Sequence, residues 1–128
     1  MDVTPLVKTG AQIIQSYAGG KFKMSGQTYE DAVIVTSSET RIWKAVTSKS
    51  GVNELEEADF QAVFDELSEI DVVLLGSGKN IEFLSVSLRN SFKNNGLSVD
   101  VMDTGAACRT YNVLMAEGRR VAAMLFPA

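Results

Sequence analysis

Residues 99–112 read VDVMDTGAACRTYN, and the fold of the whole chain turns on the tetrapeptide DTGA at 103–106. In aspartic proteases these four letters form the catalytic loop, which must lie among β-strands so that two carboxylates meet and share a proton. A homodimer of chains near this length, each giving one Asp, would satisfy the size of such a site. The neighbouring residues argue for something else. LSVDVM at 97–102 reads as a strand, and after the tetrapeptide Ala107, Tyr111, Leu114 and Met115 recur at helical spacing. Asp103 therefore reads as the N-cap of a helix, its carboxylate accepting from the amide of Gly105 or Ala106 at the positive end of the helix dipole. Gly105 follows where a neighbouring group can approach the backbone closely.

Working outward, DVVLLGSG at 71–78 is a continuous apolar run ending in glycines, the pattern of a central strand covered on both faces. A helix is expected over residues 85–95, with Leu84, Leu88 and Phe92 on one face and NNG at 94–96 as its stop. RRVAAMLFP closes the chain as a last strand, ended by Pro127. Upstream, Leu55, Phe60, Val63, Phe64 and Leu67 fall at helical spacing, and Asn53 with Glu56 resembles a capping box, so an amphipathic helix is expected over residues 56–68. From Ala11 to Val46 the segments AQIIQSY, KFKMSG, QTYEDAVIVT and TRIWKAV are rich in β-branched and aromatic residues and are separated by turn residues, so they read as strands and hairpins. Trp43 within them reads as core or sheet-face packing, with part of a partner surface as the alternative. Alternating strand and helix from residue 55 onward implies right-handed crossovers. The expected fold is a single α/β domain over residues 1–128, three-layered, with a mixed, mostly parallel sheet, an N-terminal β-hairpin addition and three main helices.

Composition removes several kinds of function. The chain has 128 residues, 12 Lys and Arg against 16 Asp and Glu, and a net charge of -4, which disfavours a nucleic-acid binder and a basic membrane-surface binder. It has no histidine and one cysteine, so neither a Ser-His-Asp arrangement nor a thiolate–imidazole metal site can form. No metal and no cofactor are expected. No apolar run approaches the roughly 20 residues of a membrane span, and MDVTPLVKTG lacks the pattern of a signal peptide, so a chain starting at Met1 and residing in the cytoplasm is expected. Eight acidic residues between Glu54 and Asp71 read as a solvated outer face.

Parallel strands beginning near Asp71 and Leu97 would open the loops GSGKN and DTGA on one sheet edge, where open α/β sheets usually bind ligands. The candidate pocket is accordingly Gly76, Ser77, Gly78, Lys79, Asp103, Thr104, Gly105, Cys108, Arg109 and Asn112. Amides of Ser77, Gly78 and Lys79 at a strand–turn–helix junction could hold a small anion or a nucleotide, with Lys79 and Arg109 adding charge. GSGKN lacks both the third glycine of the dinucleotide fingerprint and the ending of a phosphate loop, so a plain tight turn competes. Cys108 is either a thiol activated by the helix dipole and Arg109 or a small buried hydrophobe between alanines and a helix turn. Tyr111 reads as packing, and Asn112 as a helix-surface amide or a pocket lining. No catalytic residue is assigned.

The segments VVLLGSGKN, the helix ending in NNG, GQTYEDAVIV and above all VDVMDTGAACRTYNVLMAEGRRVAAML resemble the small uncharacterised family that includes mitochondrial complex I assembly factor 3 and single-domain bacterial proteins. The likeness runs from about Ile13 to the end of the chain. It implies a three-layer α/β fold with a mixed sheet, no established catalytic activity and no accepted catalytic residues; in mitochondria it implies a role in building the respiratory NADH dehydrogenase. The function expected from it is a non-catalytic interaction or assembly-type domain with a protein partner. The alternative is a small-anion or small-molecule binding protein, or a weak enzyme, using the loop edge at 76–80 and 103–109. An apolar patch exposed away from that edge would favour the first.

Overall fold

Short β-branched and aromatic runs broken by glycines build the first third of the chain. The computed structural model describes residues 12–128; Ala11 and MDVTPLVKTG, on which the reading of the N-terminus rests, lie outside the described residues. Strands β1 (Ile14–Ser16), β2 (Phe22–Met24) and β3 (Gln27–Tyr29) form a small antiparallel sheet in that order. Strands β4 (Val33–Val35) and β5 (Thr40–Ile42) form an antiparallel hairpin that joins a different, five-stranded sheet. TRIWKAV thus stops being a strand at Ile42 and continues into a tight 3-10 turn over Lys44–Val46.

The larger sheet is completed by β6 (Val72–Gly76), β7 (Ser98–Met102) and β8 (Val121–Leu125), in the order β5-β4-β8-β6-β7. Strand β6 pairs in parallel with both β7 and β8, whereas β4 is antiparallel to both β8 and β5. Four of the five strands consequently point the same way, with β4 alone reversed. Every residue of β6 and β8 is buried, as a strand sandwiched between two layers requires. On one face lies a core containing Trp43, Phe60, Leu84, Leu88 and Phe92 under helix α2 (Val86–Asn94). On the other lies a core containing Phe22, Met24, Cys108, Tyr111 and Met115 under helix α3 (Thr104–Ala116) and the small sheet. A helix α1 (Gln61–Phe64) precedes β6.

The helix expected over residues 56–68 is broken into pieces: a 3-10 turn over Glu57–Phe60, the single turn of α1, and another 3-10 turn over Leu67–Glu69. No Lys or Arg lies between Ser50 and Gly78, so the carboxylates of this stretch find no cation at helical spacing to offset their repulsion. What fixes the segment is tertiary packing. Phe60 meets the rings of Trp43 at 5.9 Å and Phe92 at 4.8 Å, and Phe64 meets Phe92 at 5.1 Å. The Trp43 indole donates to the Asp59 carbonyl at 2.8 Å. The cap lies three residues beyond its expected place, with the Glu56 amide donating to the Asp59 carboxylate at 2.8 Å. Asp59 is buried and accepts from Lys49 Nζ at 2.6 Å, so one of the eight acidic residues is structural rather than solvated.

Both long helices end as their glycines require. Gly96 and Gly118 take φ of +74° and +79°, and the Leu97 and Arg119 amides turn back to Phe92 and Leu114, closing a Schellman cap at each end. Helix α3 also fastens the small sheet to the large one. Asn112 imitates a neighbouring strand: its Oδ1 accepts from the Ile14 amide at 3.0 Å and its Nδ2 donates to the Ile14 carbonyl at 2.8 Å. The buried Tyr111 hydroxyl shares its proton between the carbonyls of Gln12 (2.8 Å) and Thr36 (3.0 Å). Replacing Asn112 by Leu keeps the side-chain size but strands both backbone groups of Ile14, and urea unfolding should show a loss of about 2 kcal/mol. An unchanged midpoint would mean that β1 is held by its apolar contacts alone.

Candidate functional site

The C-terminal ends of β6, β7 and β8 meet around one buried hydroxyl. Thr104 Oγ1 accepts from the Gly78 amide at 2.8 Å and donates to the Phe126 carbonyl at 2.6 Å, while the Thr104 amide donates to the Gly78 carbonyl at 2.9 Å. The Phe126 amide donates to the Gly76 carbonyl at 2.9 Å, and the Ser77 amide to the Met102 carbonyl at 2.9 Å. Gly76 has no room for a side chain: a Cβ there would lie 2.9 Å from Leu125 Cδ2 and 3.0 Å from Thr104 Oγ1. Gly78 turns the chain with φ of +102°, a conformation that favours glycine.

This geometry bears directly on anion binding. Of the three amides that would face an anion, those of Ser77 and Gly78 are bonded within the junction. The N-terminus of α3 is occupied as well, because Asp103 caps it by accepting from the Ala106 amide at 2.9 Å. That places a carboxylate where an anion would bind. DTGA is therefore a strand-to-helix turn. Gly105 lies under the ring of Tyr17, with a Cβ there 3.1 Å from Tyr17 Cε2. Arg109 reaches back to the same residue, donating to the Tyr17 hydroxyl at 2.6 Å with its guanidinium carbon 6.0 Å from the ring centroid.

The ten residues of the expected pocket thus fall into separate environments. Gly76, Ser77, Gly78 and Thr104 form the junction, and Asp103, Gly105 and Arg109 gather at the start of α3 near Tyr17. Lys79 is exposed beyond the turn. Asn112 is committed to β1, and Cys108 is 1% exposed inside the core under α3. Burial pushes the Cys108 thiol up to about 12, outweighing the opposing pull of Arg109, so it stays a neutral thiol rather than an activated one. The helix dipole and Arg109 were the signals for reactivity; desolvation is the larger effect.

A different feature stands out a few residues beyond the junction. From Ile81 to Leu84 no helix or strand is formed before the start of α2, and exposure alternates along the chain. Glu82 turns inward, accepting from the Val52 amide at 3.0 Å, and Leu84 is buried. Ile81 and Phe83 face solvent, 57% and 82% exposed, and Val86 in the first turn of α2 is 73% exposed. The segment is pinned along its length. Ser77 Oγ donates to the Asn80 carbonyl at 2.7 Å and accepts from the Glu82 amide at 3.2 Å, and Ser85 caps α2 by accepting from Leu88 at 3.2 Å. In the sequence the signal was IEFLSVSL, where Ile81, Phe83 and Val86 fall off the Leu84–Leu88–Phe92 stripe.

Residues 14–126 match the family described as "Protein of unknown function (DUF498/DUF598)", and the chain belongs to it. An uncharacterised protein of Rhodobacter capsulatus is 28% identical over 118 residues, covering 92% of this chain and 86% of its own. The NADH dehydrogenase [ubiquinone] 1 alpha subcomplex assembly factor 3 of Danio rerio is 32% identical over 116 residues, which are 90% of this chain and 64% of that protein. The chain thus spans about two thirds of the vertebrate protein. A crystal structure described as an outer membrane protein from Bartonella henselae superposes with a TM-score of 0.81 at 32% identity, covering 92% of this chain and 96% of that one. No helix among the described residues is long and apolar enough to cross a membrane.

Two outcomes follow from the buried groups. Thr104→Val should cost about 2–3 kcal/mol in urea unfolding, because it leaves the Gly78 amide and the Phe126 carbonyl buried without a partner, whereas Thr104→Ser should keep most of the stability. The raised values of Cys108 and Tyr111, both caused first by burial, favour the protonated folded state. Their contribution is whole below their ordinary values of 9.0 and 10.0 and is lost as pH rises through the raised ones. Urea midpoints of the unmodified protein should therefore fall from about pH 9 upward, and in Cys108→Ala the fall should begin about one pH unit later. Identical alkaline profiles would place the thiol in water.

Proposed function

We propose that this member of the DUF498/DUF598 family is a non-catalytic interaction domain of the assembly-factor kind, which binds a protein partner through the face formed by Ile81, Phe83 and Val86. One observation carries the reading: a phenylalanine 82% exposed between two neighbours that are held inward, Glu82 by the Ser77 hydroxyl and the Val52 amide and Leu84 by burial in the core. A flexible loop could fold such a ring back onto the protein. This one is held out in water, where an exposed aromatic with apolar neighbours marks an interaction surface. The name of the Danio rerio relative ties that protein to the building of NADH dehydrogenase, and extending an assembly role to this chain is part of the proposal. The alternative, an anion or small-molecule site at the loop edge, draws no support from amides already bonded to Met102 and Thr104.

The direct test is affinity purification of the tagged full chain from its native cell, comparing the unmodified protein with Phe83→Ser by quantitative mass spectrometry. Phe83 touches no core, so the substitution should change stability by less than about 0.5 kcal/mol. A reproducible partner should be depleted by the amount expected of an aromatic anchor, about 2 kcal/mol or roughly thirtyfold. The same partners at the same level with both proteins, or none with either, would contradict the reading.

The proposal also places the protein in the cytoplasm, bound to its partner rather than embedded in lipid. Fractionation of the untagged protein should recover it without detergent, in the soluble pool or released from membranes by salt. A pool that only detergent extracts would overturn this.

A further inference from the structure

Resting on that interaction reading, we infer that the partner is a folded protein offering an apolar pocket rimmed by carboxylates, into which Phe83 inserts as a knob. Shape gives the first half. Ile81, Phe83 and Val86 are each more than half exposed, and the residues on either side of Phe83 turn into the protein, Glu82 to the Val52 amide and Leu84 into the core. At 82% exposure the Phe83 ring stands clear of its neighbours, so the concave half of the contact must come from the partner, with Phe83 as the buried centre and Ile81 and Val86 closing out water around it.

Charge gives the second half. Val86, Arg89, Asn90 and Lys93 are exposed at helical spacing and share the outer face of α2, and Lys79 lies just upstream of the segment. Three cations therefore border the apolar side chains in a chain whose net charge is -4. Between Val72 and Val99 there is a single acidic residue, Glu82, and its carboxylate is engaged by the Val52 amide. The complementary surface is apolar at its centre and acidic at its rim.

The same observations disfavour two other occupants. An anionic bilayer is a broad plane, and it would be repelled by the excess of carboxylates in a chain whose net charge is -4. A pocket reaches Phe83 without facing those carboxylates. On a second copy of the chain, a depression of the right charge among the described residues has about 260 Å³ and is lined by Glu39, Glu66, Glu69, Ile70 and Val121. Its apolar floor is closed, with Ile70 and Val121 only 3% and 2% exposed, and Arg41 already holds Glu66 at 3.1 Å and Glu39 at 3.8 Å.

The test places the photoreactive residue p-benzoylphenylalanine at position 83 of the full chain, and separately at exposed Val113 on α3, in the native cell. Irradiation is followed by mass-spectrometric mapping of the cross-linked peptides. Position 83 should give one discrete protein adduct, mapped to apolar residues with Asp or Glu around them. The double reversal Arg89→Glu with Lys93→Glu should lower its yield at least about tenfold at an unchanged melting temperature, and reversing the partner's mapped carboxylates to Lys should restore it. An adduct with lipid, an adduct with a second copy, or a protein adduct indifferent to both charge reversals would overturn the inference. An adduct from position 113 alone would overturn it while leaving an interaction domain. No adduct from either position would overturn both.

Discussion

Everything at the C-terminal edge of the large sheet depends on one hydroxyl. Thr104 Oγ1 accepts a hydrogen bond from the Gly78 amide and donates one to the Phe126 carbonyl, so a single side chain of 0% exposure ties together the loop after β6, the start of α3 and the end of β8, alongside the backbone bonds between them. In a low-dielectric interior each of these bonds strengthens the other, and the loss of either leaves a polar group unpaired. Gly76 is the second half of the constraint, since any side chain there would collide with Thr104 and Leu125. The three strands can end at the same depth only because one position lacks a Cβ and another carries a short hydroxyl.

The consequence for function is a change of place. Open α/β sheets bind ligands where parallel strands end and loops diverge, because free amides and helix N-termini point there. In this chain the loops do not diverge. The Ser77, Gly78 and Thr104 amides donate to Met102, Thr104 and Gly78 oxygens across the junction, Asp103 fills the N-terminus of α3, and Tyr17 covers Gly105. The loop that closes the edge is then reused. Ser77, locked by the Met102 carbonyl, is also the anchor from which Asn80 and Glu82 are held, and this rigidity keeps Phe83 in solvent. The loop half of the latch and the proposed docking face belong to one stretch of about ten residues.

Much of this architecture was legible in the letters. The buried run VVLLG, the amphipathic stripe of Leu84, Leu88 and Phe92, the stop at Gly96 and the cap at Asp103 are local signals, and each decides its own element. The segment 56–68 was not legible as it folds, because its periodicity is that of a helix while its shape is set by Trp43 and Phe92, distant in sequence. The split of the first five strands between two sheets was hidden for the same reason: β4 chooses β8 across 90 residues. In the site, adjacency in sequence placed Cys108 and Asn112 beside Asp103, but a helix turns through 100° per residue. Cys108 points into the core and Asn112 toward β1. Phe83 was overlooked because an aromatic residue reads first as core, and only burial distinguishes an anchor inside from an anchor outside.

The closed edge is tested most directly by native-state hydrogen exchange at the amides of Ser77, Gly78 and Thr104, measured with and without inorganic phosphate. If these amides belong to the Thr104 junction, they exchange only through global unfolding, with the protection of the β6 and β8 core, and phosphate leaves their rates unchanged. Exchange faster than the core by several orders of magnitude, slowed by millimolar phosphate, would mean that the amides stand open to a ligand and that the edge is a binding site after all.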